Sequence, residues 1–260
     1  MNTVNIDDVK EFWNKNPLCA ANIPHPLGSR DFFIHFDKMR EEIEPLEYSY
    51  ELHEYTQFKG KKVLDIGCGN GYVLSKYAQE GANVTGIDIT ETAIDLCKKR
   101  FDFMNLNGVF QVENAESLPF EDNTFDCVCS MGVLHHTPNP TKAIEEIYRI
   151  LKPNGRLIVM FYHKNSFYYR WKLRLLSIMT KKSLSQLVNE FDGPANPKGD
   201  IFSSKELKIM FSKFKHKQTF TGFLTPDMVL PKLGKHILPT MLLKYLEKKF
   251  GWNLYLKAFK

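Results

Sequence analysis

The stretch VLDIGCGNG at residues 63–71 decides the fold of this 260-residue chain. A short, mostly apolar strand is followed by three alternating glycines, and residues 72–80 have the composition of a helix. Glycine is used where the backbone turns sharply or where a ligand approaches it closely. A strand that enters such a turn and continues into a helix is the nucleotide-binding corner of an α/β fold, and the free N–H groups at the start of that helix attract polar ligands.

The spacing of the glycines narrows the choice of ligand. Gly67, Gly69 and Gly71 give G-x-G-x-G, whereas dinucleotide enzymes use G-x-G-x-x-G, and the Gly-Lys-Ser/Thr of a P-loop is not present. Asp65 stands two residues before the first glycine. A carboxylate there would repel a pyrophosphate but could accept a hydrogen bond from an ammonium group. This chemistry favours the amino-acid end of S-adenosylmethionine, and an ordinary glycine-rich turn is the structural alternative.

The segments around this stretch alternate between strand and helix patterns, which predicts a parallel sheet with helical crossovers. An apolar strand at 83–87 ends in Asp88, an acid placed to bind ribose hydroxyls, and Ile89 follows it to pack on adenine. The remaining predicted strands are 109–112, 124–131, 156–162, 217–223 and 251–259, and the remaining predicted helices are 31–43, 48–55, 91–103, 141–151 and 204–214.

Several short motifs occur in one order over about 100 residues. They are VLDIGCGNG at 63–71, GID at 86–88, AESLPF at 115–120, FD at 125–126, VLHH at 133–136 and LKPNG at 151–155. In this order and spacing they resemble the class I S-adenosylmethionine-dependent methyltransferases, and in particular the small-molecule, type 11-like subgroup.

The resemblance implies a cofactor site for S-adenosyl-L-methionine and no metal. Its residues are Asp65, Gly67, Cys68, Gly69, Asp88, Ile89, Asn114, Ala115 and Met131. One position departs from the family, which commonly has an acid where Asn114 stands. Because an amide oxygen can accept the same hydrogen bond from the adenine amino group, we expect cofactor binding to survive this change.

The resemblance also implies a Rossmann-like fold. We expect a seven-stranded, mostly parallel sheet with an antiparallel last strand at its edge and helices on both faces. Residues 1–59 are predicted to form an N-terminal helical cover over the cofactor, in which Arg40 and Tyr48 could reach its carboxylate. Residues 60–260 are predicted to form the methyltransferase domain, with a substrate cap inserted at about 165–202 and a helical insertion at about 226–250.

Composition and charge limit the classes of protein to which this chain can belong. The content of 43% hydrophobic and 25% charged residues is ordinary for a globular protein, and no apolar run is long enough to span a membrane. The start of the chain lacks the apolar core of a signal peptide, which predicts a cytoplasmic protein. Five cysteines without a C-x-x-C pair favour buried free thiols.

The charge is divided unequally along the chain. Residues 1–151 carry a net charge of −10 and residues 152–260 a net charge of +15. A basic half could face an anionic substrate, an anionic membrane surface or nucleic acid, or could be a solvated surface. No RNA-binding module is recognisable, so nucleic acid is disfavoured. Two further points stay open: peripheral membrane contact, for which the apolar helix near Met241 is the candidate, and a monomeric or homodimeric state.

The chemistry requires a small-molecule acceptor and, for a hydroxyl of high pKa, a base. His135 and His136 follow the strand 124–131, and His136 is the preferred base. The rate of methyl transfer should then rise with pH near the ordinary imidazole pKa of about 6.5. Tyr162 and His163 are weaker alternatives. The sequence predicts O-methylation of a small polar metabolite, such as a sugar, glycan precursor or phosphate-like oxyanion. The alternatives are a quinone or lipid methyltransferase and a non-catalytic S-adenosylmethionine-binding module.

Overall fold

The computed structural model describes residues 4–230 and 233–260 and is built around one twisted sheet. The strands follow the order β3-β2-β1-β4-β5-β8-β7, and an eighth strand, β6, pairs with β5 beside this path. Their bounds are β1 Lys62–Ile66, β2 Asn83–Asp88, β3 Val109–Val112, β4 Phe125–Met131, β5 Leu151–His163, β6 Ile201–Phe202, β7 Lys215–Gly222 and β8 Asn253–Phe259.

Helices connect the strands and precede the first of them. Helix α5 begins after Thr90, whose hydroxyl accepts a hydrogen bond from the N–H of Ala93, and α6 begins with a proline after the capping Asn139. The helices are α1 Ile6–Lys15, α2 Arg30–Ile43, α3 Leu46–His53, α4 Tyr72–Gln79, α5 Glu91–Met104, α6 Pro140–Ile150, α7 Leu173–Thr180, α8 Leu184–Asn189, α9 Ser204–Met210, α10 Pro226–Val229, α11 Gly234–Ile237 and α12 Thr240–Phe250.

The predicted fold class is confirmed, with one correction to the sheet. Strands β1 to β5 are mutually parallel and β8 is antiparallel to both of its neighbours. The expectation that the last strand lies at the edge is wrong, because β7 takes that place. Six of the seven residues of β8 are buried, as a strand between two others requires, whereas β7 exposes Lys215, His216 and Gln218, which suit an edge.

Two apolar layers, one on each face of the sheet, hold the helices in place. On one face, α6 packs Ile144 and Ile147 against β4, β5 and β8, and α9 adds Leu207. On the other face, α2, α4 and α5 pack against β1 and β2, with Phe33 and Leu74 fully or almost fully buried. Helices on both faces leave only the ends of the strands free for a ligand.

The predicted cap, residues 165–202, returns to the sheet at its carboxyl edge. It contains α7 and α8, and it ends in β6, where Ile201 pairs with Tyr162 near the end of β5. Helix α9 then begins at a capping box in which Glu206 accepts from the N–H of Ser203, as predicted, but it ends at Met210 rather than at residue 214. The division into a cover (1–59) and a methyltransferase domain (60–260) stays a prediction.

None of the helices within the described ranges is long and apolar enough to cross a membrane.

Candidate active site

A cleft opens where β1, β2 and β4 end at the carboxyl edge of the sheet. Its volume is about 990 Å³ including the open solvent at its mouth, and its lining of apolar side chains with a few polar groups is typical of a small-molecule site. Helix α1 and the residues that follow it form one wall through Val9, Trp13 and Leu18, and the strand ends form the other. Of the predicted site residues, those that line the cleft are Gly67, Gly69, Asp88, Ile89, Asn114, Ala115, Met131 and His136.

The glycine loop brings its backbone close to β2 and to the cleft. The N–H groups of Gly67 and Cys68 both donate to the carbonyl of Ile87, at 2.7 and 2.9 Å. Gly67 has a φ of +74° and lies against Val133, whereas Gly69 has a φ of +53° and no atom stands where its side chain would be. The loop is therefore closed by packing at Gly67 and open to a ligand at Gly69.

Asp88 is held by the loop and by the start of α5. One carboxylate oxygen accepts from the N–H of Gly69 at 3.2 Å, and the other accepts from the N–H and the hydroxyl of Thr90, both at 3.0 Å. Burial raises the pKa of Asp88, and these donors oppose that shift. A carboxylate offers about four acceptor positions, so one is left for a hydroxyl of a ribose in the cleft.

We expect Asp88→Ala to weaken the binding of S-adenosylmethionine more than it slows transfer at saturation, because a ribose contact exists in ground and transition states alike. The loss of one charged hydrogen bond corresponds to roughly 1.5–3 kcal/mol, or about 10- to 150-fold in Kd. Calorimetric titration measures it. The matched control is Asp95→Ala, which removes an exposed carboxylate from α5 outside the cleft, and equal losses in the two variants would contradict a ribose contact.

Asn114 offers the cleft both hydrogen-bond donors and an acceptor. Its Oδ1 accepts from the N–H of Glu116 at 2.9 Å, which leaves one lone pair on the oxygen and both amide hydrogens for a ligand. Adenine carries a donor amino group beside an acceptor ring nitrogen, and the amide can serve both. Ile89, Ala115 and Leu96 give this part of the cleft an apolar lining suited to a base.

Asp65 and Cys68 lie beneath the cleft rather than in it. Asp65 is buried, and its Oδ1 accepts from the thiol of Cys129 at 3.2 Å. Burial raises the pKa of Asp65 to about 7. Cys68 is buried beside Gly86. A direct contact of either side chain with the cofactor stays a prediction.

Arg40 and Tyr48 are also placed away from the cleft lining. Arg40 donates to Glu44 at 2.8 Å, and Glu44 also accepts from Ser49. Although burial opposes it, this arrangement, led by Arg40, lowers the pKa of Glu44 to about 2. The Nε of Arg40 is buried without a partner among the described residues, while Tyr48 packs near Tyr255 of β8.

His136 borders the cleft at the end opposite to the adenine side. Its Nδ1 lies 2.6 Å from the carbonyl of Lys198 and can only donate to it. The neutral ring therefore carries its lone pair on Nε2, which is buried without a hydrogen-bond partner in the described ranges and lies 3.7 Å from Oδ2 of Asp192. Burial lowers the pKa of His136, and the Asp192 carboxylate opposes that shift. This tautomer is the one that can accept a proton at Nε2.

Asp192 and Tyr162 complete this end of the site. The Tyr162 hydroxyl donates to Oδ1 of Asp192 at 2.6 Å, and Trp13 of α1 packs edge-on against the His136 ring. Sequence reasoning named Tyr162 only as a weak alternative and did not single out Asp192. The available signal was an acid beside Gly193 and Pro194 in a cap whose other charges are mostly basic.

The other histidines do not line the cleft. His135 is fully buried between Tyr162 and Phe161, and neither ring nitrogen has a partner among the described residues. Burial holds its pKa well below the ordinary value, so the ring is neutral. His163 is buried and donates from Nδ1 to the carbonyl of Gly251. The described residues contain no group of three or more His, Cys, Asp or Glu arranged for a metal ion.

The segment 64–159 runs from β1 to β5 and carries the glycine loop, Asp88 and both histidines. It matches the family described as "Methyltransferase domain". Residues 64–159 form a methyltransferase domain. For these residues the family predicted from the sequence is confirmed, and the lining of the cleft fits S-adenosylmethionine as the cofactor.

Curated relatives match about half of this chain and extend beyond the match. A ubiquinone biosynthesis O-methyltransferase of Coxiella burnetii is 34% identical over 123 residues, which are 47% of this chain and 52% of the relative. The enzyme of the same name from Alkalilimnicola ehrlichii is 30% identical over 148 residues, 56% of this chain and 58% of the relative. The chain thus spans little more than half the length of these relatives.

Solved structures agree on the fold. A methyltransferase from Methanosarcina mazei is 24% identical, with a TM-score of 0.55, over 81% of this chain and 96% of its own. At this identity the likeness shows the fold alone, and one fold serves many reactions.

Proposed function

We propose that this protein transfers a methyl group from S-adenosylmethionine to an oxygen atom of a small molecule. The observation that carries the proposal is the cleft itself, which joins Gly69, Asp88 and Asn114 at one end to His136 at the other. The bound cofactor supplies a methyl group that is already activated on sulfur, so positioning of the acceptor accounts for much of the rate.

The chain's own residues have distinct tasks in this proposal. Asp88 and the glycine loop hold the ribose, Asn114 holds the base, and α1 covers the ligand and excludes water. Nε2 of His136 accepts the proton that the acceptor hydroxyl releases, and Asp192 stabilises the resulting imidazolium at 3.7 Å. The carbonyl of Lys198 keeps the ring in the tautomer that this requires.

The predicted small polar acceptor remains a candidate, but the cleft has few groups that would bind it. A phosphate-like oxyanion would need a cation, and no lysine or arginine is among the described residues that line the cleft. The basic residues Arg170, Lys172 and Arg174 of the cap are exposed on its outside.

A phenol or quinol acceptor is the second candidate, and the aromatic surroundings of His136 favour it. Trp13 and Tyr162 flank the histidine. Tyr162 also contacts Trp252, which stacks on Tyr168. The names of the curated relatives, ubiquinone biosynthesis O-methyltransferases, agree with such an acceptor.

Two measurements test the proposal in order. S-adenosylmethionine or its demethylated product should raise the melting temperature, because a ligand that binds only the folded state stabilises it, and NAD should not. Labelled S-adenosylmethionine is then offered with catechols and hydroquinones in one panel and sugars and sugar phosphates in another. Stabilisation without transfer to either panel or to a metabolite extract would favour a non-catalytic binding module, and stabilisation by NAD alone would overturn the proposal.

A further inference from the structure

The outer side of the cap carries an apolar surface that the described part of the chain leaves uncovered. Helix α7 packs against the protein through Leu173, which is buried, whereas Ile178 and Met179 are 78% and 72% exposed. Single exposed apolar side chains are ordinary, but a contiguous group of them marks an interaction site. We call this group the cap face, and its members are Trp171, Leu175, Leu176, Ile178 and Met179.

Basic side chains surround the cap face as a basic ring, in which Lys182 is paired with Glu190 at 2.7 Å and the other four have no salt bridge among the described residues. Residues 168–189 contain five basic residues and no Asp or Glu. All five are exposed, and they are Arg170, Lys172, Arg174, Lys181 and Lys182. Exposed apolar side chains within a ring of positive charge are the composition of an amphipathic segment that lies on an anionic membrane surface.

The cap face is attached firmly to the rest of the protein. Leu173 belongs to a small buried cluster with Trp252 and Tyr169, and Met228 of α10 packs on the same cluster. The segment that contains α10 to α12 is thus joined to α7, and it adds a second exposed apolar group on α12, Met241 (86% exposed), Leu242 and Tyr245, together with Lys244.

We propose that the cap face docks on an anionic lipid surface. A second copy of the chain is the less suitable occupant, because two such faces would each bring four uncompensated positive charges into contact. A lipid surface accepts the apolar side chains and attracts the basic ring at the same time. The inference goes beyond methyl transfer and does not depend on it.

The test is sedimentation of the full chain with vesicles of phosphatidylcholine alone or with one third phosphatidylglycerol. We expect binding to the anionic vesicles that weakens in high salt. Replacing Ile178 and Met179 together by serine should weaken it at least tenfold. Arg174→Gln and Lys181→Gln should each weaken it roughly fivefold and reduce the salt dependence. The matched control is Ile209→Ser on α9, which is also exposed (64%) and next to a lysine.

Melting temperatures of all variants establish that they are folded. Equal loss of binding in the Ile209→Ser control, or no binding of the native chain to anionic vesicles, would overturn the proposal. A dimer in light scattering that disappears on replacing Ile178 and Met179 would instead assign the cap face to a second copy. Because vesicle binding is measured without substrate or methyl transfer, its failure is distinct from failure of the proposed function.

Discussion

His136→Ala should lower turnover about 10²–10⁴-fold while the affinity for S-adenosylmethionine changes little. This is the usual contribution of a general base, and the residue borders the cleft at the end away from the proposed ribose and base contacts. Steady-state kinetics with an acceptor found in the panel gives the turnover, and calorimetry gives the affinity. The matched control is His236→Ala, because His236 is exposed on α11.

The pH dependence provides a second test of the same residue. The base is competent when neutral, so the rate should fall as pH drops through the pKa of His136. Because burial lowers that pKa, the midpoint should lie below the ordinary value of about 6.5 expected from the sequence. Asp192→Asn should move the midpoint lower still, since it removes the charge that favours the imidazolium. Full activity in His136→Ala with an unchanged pH profile would exclude the base role.

Gly67→Ala should destabilise the protein by about 2–5 kcal/mol, while Gly69→Ala should cost about 1–2 kcal/mol. Both glycines have positive φ, which an alanine adopts with strain. At Gly67 the added Cβ would lie 2.2 Å from a methyl group of Val133, so the chain leading to His136 would have to shift. At Gly69 no atom lies within 4 Å of the added Cβ, so only the strain of the positive φ destabilises that variant.

The two glycine variants should separate stability from binding. Urea denaturation measures the first effect, and we expect a lower midpoint with an unchanged slope for Gly67→Ala. Gly69 lines the cleft, so its added methyl group would occupy ligand space, and the affinity for S-adenosylmethionine should fall although the fold is largely kept. If Gly69→Ala were the less stable variant, the loop would be packed differently from this structure.

The fold was predictable because its signals are local. The pattern at 63–71 contains the strand, the turn and the start of the helix, and the structure has β1 and α4 within one residue of the predicted bounds. Ser203 and Glu206 form their capping box from residues three apart. The place of β8 was not predictable in this way, because it depends on which of β7 and β8 has two buried faces.

The cofactor end of the site was predictable for the same reason, and the acceptor end was not. Asp88, Ile89, Asn114 and Ala115 follow directly on strands, and parallel strands bring their carboxyl ends together. His136 instead acquires its tautomer from Lys198, 62 residues later, and its charge partner from Asp192. Such contacts require the cap to be folded, and no spacing rule links those positions.

The contact between the carbonyl of Lys198 and His136 limits how the cap can be exchanged to change the acceptor. The cap rejoins the sheet through residues 198–202, where the N–H of Asp200 also donates to the carbonyl of His135. A graft that exchanges the whole cap for another would replace the backbone that orients the histidine along with the walls of the acceptor space. Exchange boundaries placed before Asp192 would keep both that backbone and the carboxylate partner of His136, so altered selectivity and retained turnover should be obtainable together only from grafts that end there.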